Sequence, residues 1–122
     1  MSEIETSLIG FSRGDASGDT FYASNPATGE QLPVAYVLAS DAEVNRVAEL
    51  AEKAAGSLAA LSGTDKAKLL RTVAENVDGI VDDLVDIVIS ETGLPEPRVR
   101  GETGRTSGQL RLFADLVGEG PW

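Results

Sequence analysis

The chain has no cysteine and no histidine. Without cysteine there is no disulfide, no thiolate nucleophile and no sulfur ligand. Without histidine, the side chain best suited to moving protons near neutral pH is missing. The two absences exclude Ser–His, Cys–His and zinc chemistry assembled from this chain alone. Positive charge is also scarce: 10 lysines and arginines face 20 aspartates and glutamates, a formal net charge of −10. Such a chain repels polyanions on average, so nucleic acid and anionic membranes are poor partners. No apolar run reaches the roughly 18 residues of a membrane-spanning helix. The opening MSEIETSLIG lacks a basic region and a long apolar core. It does not read as a signal peptide, and a cytoplasmic protein is expected.

What is present fits one ordinary domain. The 122 residues are 42% hydrophobic and 25% charged, a globular balance. Residues 1–20 hold Gly10, Gly14 and Gly18 among small polar residues. They read as a loosely held arm with a short strand over 7–12. FYAS, NPATGE and QLPVAYVLAS then read as a β-hairpin over about 21–38. Phe21, Tyr22, Val34, Tyr36 and Val37 suit a pleated, half-buried surface. Pro26 suits an early turn position, and Gly29 supplies the positive φ that the turn needs. Pro33 cannot donate to a ladder, so it marks an edge or a bulge.

Three helices are expected after the hairpin. The first spans about 41–60, opened by the capping-box pair Ser40 and Glu43 with Asp41 in the first turn. Val44, Val47, Ala48, Ala51, Ala54, Ala55 and Leu58 recur along it at helical spacing. The second spans about 65–92 after Thr64 as N-cap. Its apolar stripe runs Leu70, Val73, Ala74, Val77, Ile80, Val81, Leu84, Val85, Val88, widened by Leu69, Ile87 and Ile89. That is more than one neighbour can cover. Gly93 offers a left-handed stop and Pro95 blocks continuation. The third helix spans about 97–117, with Pro97 in its first turn. Gly101, Gly104 and Gly108 lie inside it, each costing up to about 1 kcal/mol against alanine. They suggest a close backbone neighbour.

No residue set reads as a complete active site. Asp78, Asp82 and Asp86 are spaced i, i+4, i+8 with Glu75 nearby. Their spacing is not that of an EF-hand loop, and a solvated helix face is the simpler reading. GETGRTSG matches neither the dinucleotide fingerprint nor the P-loop, so helix packing is preferred over phosphate binding. Arg98, Arg100, Arg105 and Arg111 make the third helix locally basic. Surface ion pairs are preferred over anion binding, with Arg98–Glu102 and Arg71–Glu75 as i, i+4 candidates. Thr106 and Ser107 have no base to take a proton and would be inert nucleophiles.

NPATGE, the helix opening SDAEVNRVAELAEKAA, then KAKLLRTVAENV and ETGLP stand in that order. This ordered set resembles the N-terminal segment of the aldehyde dehydrogenase superfamily. GETGRTSGQLRLFADLVGEGPW is similar to the branch that oxidises 2-oxoglutarate semialdehyde (2,5-dioxovalerate). The resemblance covers roughly residues 8–122. It implies an α/β, Rossmann-like parent fold, of which this chain is a mostly helical fragment: an N-terminal β-hairpin followed by three helices, packed on the nucleotide-binding sheet. The family's cysteine nucleophile, activating glutamate, cofactor-binding lysine and glycine-rich loop would all lie beyond the equivalent of Trp122. Pro121-Trp122 falls too soon after the third helix to be the family's Pro-Trp-Asn motif. NAD or NADP is implied for the full-length family, and no cofactor is expected for this chain alone. The implied partner is the remainder of an aldehyde dehydrogenase polypeptide, or a homo-oligomer. Some members hold a structural monovalent cation; the matching positions here are Ala23, Ser24 and Glu102.

Two departures from the family pattern stand out. Gly56 and Leu58 or Leu61 occupy positions where aromatics are common, and losing a buried aromatic costs about 3–5 kcal/mol. Two readings follow. One is a scaffold segment of an NAD(P)-dependent aldehyde dehydrogenase, inactive in isolation. The other is a stand-alone helical interaction module derived from that scaffold.

Overall fold

A computed structural model describes residues 4–120. Pro121 and Trp122, read as falling too soon to be the family's Pro-Trp-Asn motif, lie outside the described residues. The chain divides into two compact units, Met1–Ser57 and Leu58–Trp122.

The first unit holds five strands and most of one helix. The strands are β1 (Ile4–Glu5), β2 (Leu8–Ile9), β3 (Ser12–Arg13), β4 (Thr20–Ser24) and β5 (Gln31–Val37), followed by α1 (Asp41–Ala60). The expected hairpin is β4–β5, an antiparallel pair in which Phe21 faces Tyr36. Their rings stack at 5.5 Å. At the turn, the Asn25 side chain accepts the Ala27 N–H at 2.9 Å, and Gly29 has φ 75°. Local chemistry alone makes this turn. β5 is not an edge: β1 pairs with it in parallel through Ala35 and Tyr36, giving the order β1-β5-β4. Pro33 falls where the register shifts, between Tyr22↔Ala35 and Ser24↔Gln31. The irregularity spares the ladder a missing donor.

The arm is more ordered than a loose loop. β2 and β3 form a tight antiparallel ribbon, with Gly10 at φ 61° in its turn. The loop that follows it is tied to α1 by Glu43, which accepts the Asp15 N–H at 2.8 Å. No residue of α1 is buried.

The second unit contains α2 (Gly63–Gly79), α3 (Val81–Thr92) and α4 (Glu96–Gly118). The stretch expected as one helix over 65–92 is therefore two. Ile80, with φ −108° and ψ 11°, ends α2 and begins α3. Gly79 is a weak helix former, and Asp82 and Asp83 supply first-turn acids for a fresh helix start. The N-cap of α2 is Ser62 rather than Thr64: its hydroxyl accepts the Asp65 N–H at 3.1 Å. Gly93 ends α3 in the left-handed region at φ 69°, and Pro97 stands in the first turn of α4, both as expected.

α2 and α4 pack antiparallel. A Cβ on Gly63 would strike the Val117 carbonyl; Arg71 pairs with Asp115 and Asp78 with Arg111. Ala67 and Ala74 of α2, Val85 of α3 and Val99, Thr103, Ser107 and Ala114 of α4 make the buried centre. Small side chains let these axes approach. The wide stripe expected on this region is only partly covered. Leu69, Val73, Ile80 and Ile87 stay exposed, as do Leu112, Phe113 and Leu116 on α4.

Candidate functional site

The acidic residues do not assemble into a ligand set. Asp78 closes α2 while Asp82 opens α3, so the expected single face is broken at Ile80. Asp78 meets Arg111 at 2.6 Å and Asp82 meets Arg100 at 2.8 Å. Among the described residues no group of three or more carboxylates is placed to hold a metal. The Asp78 carboxyl is held below the ordinary aspartate value, first by the Ser107 hydroxyl and then by Arg111. That hydroxyl also reaches the Gly104 carbonyl at 3.3 Å, and a single proton serves one acceptor at a time.

The arginines of α4 behave as ion-pair partners. Arg98 meets Glu102 at 2.6 Å. Arg100 bridges Glu96 and Asp82, which together hold its charge more firmly than usual. Arg71 turns to Asp115 at 2.7 Å instead of Glu75. Arg105 has no acidic partner among the described residues. Side chains half in water make such pairs weak supports individually.

GETGRTSG lies wholly within α4. A Cβ added at Gly101, Gly104 or Gly108 would meet nothing, so the close backbone neighbour expected there is not supplied by the described residues. Thr106 donates to the Glu102 carbonyl at 3.1 Å. A glycine-rich loop between strand and helix, with amides converging on phosphate, is the feature a dinucleotide needs. Here β5 passes to α1 through Leu38–Ser40 without glycine, and the glycine-rich run is helical. The described residues offer no loop of that kind.

The expected cation positions fall in different units. Ala23 and Ser24 lie on β4, and Glu102 on α4, where Arg98 engages its carboxylate. In the first unit, a groove of about 1010 Å³ runs between the β2–β3 ribbon and α1. Arg46 and Lys53 border it. The sequence reading does not single them out; their signal is two cations seven residues apart on either side of Val47, Leu50 and Ala51. Among the described residues no helix is long and apolar enough to cross a membrane.

The aldehyde dehydrogenase family profile matches residues 13–120. The chain belongs to the aldehyde dehydrogenase family. It is 39% identical over 115 residues to alpha-ketoglutaric semialdehyde dehydrogenase 2 of Azospirillum brasilense, covering 93% of this chain and 22% of that protein. It is 37% identical over 78 residues to alpha-ketoglutaric semialdehyde dehydrogenase of Acinetobacter baylyi, covering 64% of this chain and 15% of that one. A solved NAD-dependent aldehyde dehydrogenase from Sinorhizobium meliloti superposes with TM-score 0.83 at 26% identity, over 96% of this chain and 24% of that one. The chain spans about a fifth of the length of the curated relatives it matches. The resemblance to the semialdehyde branch of the aldehyde dehydrogenases is thus borne out. So is the fold: a mostly helical part of the family's architecture behind an N-terminal hairpin.

Proposed function

We propose that these 122 residues are scaffold of an NAD(P)-dependent aldehyde dehydrogenase that oxidises 2-oxoglutarate semialdehyde, or a similar aldehyde, to the acid. The observation that carries this reading is the 39% identity across 93% of the chain to a relative of that name. The chain's own contribution is structural. It presents the apolar flanks of α2, α3 and α4 to a surface supplied by the rest of the polypeptide. With no cysteine in the sequence, it has no thiolate to attack an aldehyde. The purified chain is expected to form no NADH or NADPH from 2-oxoglutarate semialdehyde; measurable turnover ends that part of the proposal.

A chimera tests the scaffold role directly. The matching segment of the Azospirillum brasilense relative is replaced by these residues, and reduced nicotinamide is followed by absorbance. Restored turnover supports the reading. A folded but inactive chimera sinks it, and points instead to a stand-alone interaction module.

The family resemblance adds a monovalent cation, with Ala23, Ser24 and Glu102 as the candidate ligand positions it implies. Glu102 would have to leave Arg98 to serve it. Higher melting temperature in potassium or sodium chloride than in tetramethylammonium chloride, lost in Glu102→Gln, supports the cation. Equal stability in all three salts removes it.

A further inference from the structure

We infer that the groove between the β2–β3 ribbon and α1 binds an aliphatic carboxylate, its chain laid on α1 and its anionic head at Arg46 and Lys53. This goes beyond the scaffold role and uses only residues of the first unit. The floor is apolar: Val47, Leu50 and Ala54 follow one another at i, i+3 and i+7, on a single helix face. Val47 is 45% exposed, so water now covers surface that a ligand chain would cover. Phe11, fully exposed, stands in the ribbon's turn as the opposite wall.

Charge decides the chemistry of the head group. Five charged side chains line the groove: Arg13, Arg46 and Lys53 against Asp15 and Glu43. Both carboxylates are committed. Glu43 accepts from the Ser40 N–H, the Ser40 hydroxyl and the Asp15 N–H. Asp15 accepts the Ser17 N–H at 2.8 Å. Arg13 is committed too, to Glu5 at 2.6 Å. Asp15 and Glu43 keep their negative charge but their oxygens are engaged, so the charged side chains left free to meet a ligand are the cations Arg46 and Lys53. Arg46 reaches Glu49 only at 3.7 Å, with both side chains more than half exposed. Such a pair yields easily to a better acceptor. Lys53 has no acidic partner among the described residues.

Arg46 and Lys53 are seven residues apart, about 10 Å along the axis at roughly 1.5 Å per residue, and so on the same side of α1. Both side chains line the groove, and stems of this kind can cover apolar surface while the charged ends stay in water. A ligand with an apolar body and one anionic end satisfies both features. A neutral apolar molecule leaves the cations unused, and a polyanion meets the repulsion of the whole chain.

The test uses octanoate, octanol and octylammonium, each titrated into the intact chain and followed by backbone amide shifts. Octanoate is expected to saturate, moving amides of α1 and of the ribbon. It should bind at least about tenfold more tightly than octanol, since a charge-assisted hydrogen bond contributes about 1.5–3 kcal/mol. Octylammonium should bind more weakly than octanol. In the Arg46→Gln/Lys53→Gln double variant, with circular dichroism unchanged, octanoate should fall to the octanol level. Equal binding of octanoate and octanol, unchanged octanoate affinity in the double variant, or shifts scattered outside the groove each overturn the assignment.

Discussion

Glu43 accepts the backbone N–H of Asp15 at 2.8 Å, across 28 positions of sequence. Its other oxygen accepts the Ser40 N–H at 2.8 Å and the Ser40 hydroxyl at 3.0 Å. One carboxylate thus closes the capping box of α1 and holds the ribbon's trailing loop against the helix start. A Cβ on Gly14 would come within 2.5 Å of the same carboxylate, so the loop passes where only glycine leaves the contact undisturbed. A local helix-start device has become a long-range tie.

That tie should depend on protonation. The Glu43 carboxyl is held below its ordinary value of 4.5, chiefly by the Ser40 N–H and next by the Asp15 N–H. A depressed folded-state value contributes stability above the unfolded value, and that contribution is lost as pH falls through the folded one. Glu43→Gln should therefore lower the melting temperature of the first unit at neutral pH. The gap between variant and parent should close as pH is taken well below 4.5. A gap that is constant with pH would show that Glu43 acts through shape alone.

The cap of α2 makes a sharper distinction between two neighbouring residues. Ser62 accepts the Asp65 N–H and also donates to the Asp65 carboxylate at 2.6 Å. Ser62→Ala should destabilise the second unit by about 0.5–2 kcal/mol, the usual cost of a lost N-cap. Thr64→Ala, one residue inside the helix, should change little. Urea unfolding of both variants checks this, and a larger effect at Thr64 would reverse the assignment.

Glycine substitutions should separate the two units. Gly63 faces the Val117 carbonyl so closely that any Cβ must push α2 from α4. Gly63→Ala should cost about 1–3 kcal/mol, the range of an overpacked contact. Gly56, inside α1, has nothing within 4 Å of an added Cβ. Gly56→Ala should instead stabilise by about 0.5–1 kcal/mol, from helix propensity. Denaturant midpoints moving in the same direction for both variants would contradict the packing described here.

The parts of this fold that were legible in sequence are those written in local chemistry. Ser40 and Glu43, Gly29 in the hairpin turn, and Gly93 each set a boundary through local geometry only a few residues long. The break at Ile80 was hidden because apolar residues continue on both sides of it; only Gly79 followed by Asp82 and Asp83 hinted at a new start. The pairing of β1 with β5 had no local signal, since a two-residue strand is ordered by a partner some thirty residues away. Residue type could not show that Glu43 holds Asp15, nor that Arg71 prefers Asp115 to Glu75. Those choices depend on how the helices and the ribbon lie in space. The candidate cation positions were drawn from resemblance alone, whereas the i, i+4 spacing of Arg98 and Glu102 was itself legible and forms the ion pair.

The exposed flank of α3 and α4 supplies the strongest test of what this chain is for. Ile87 is 52% exposed and Leu112 55%. Both are already about half covered, so completing the burial would contribute roughly half of the ~1.5–3 kcal/mol of a whole aliphatic side chain. On the isolated chain, Ile87→Lys or Leu112→Lys should shift stability by less than about 0.5 kcal/mol, as surface changes do. In the chimera with the Azospirillum brasilense relative, the same lysines would sit where another surface presses. Burying an unpaired charge there should cost several-fold more and lower the yield of folded enzyme. If both contexts tolerate the lysines equally, the flank was never meant to be covered. The reading of α2–α4 as a scaffold then gives way to that of a free-standing interaction module.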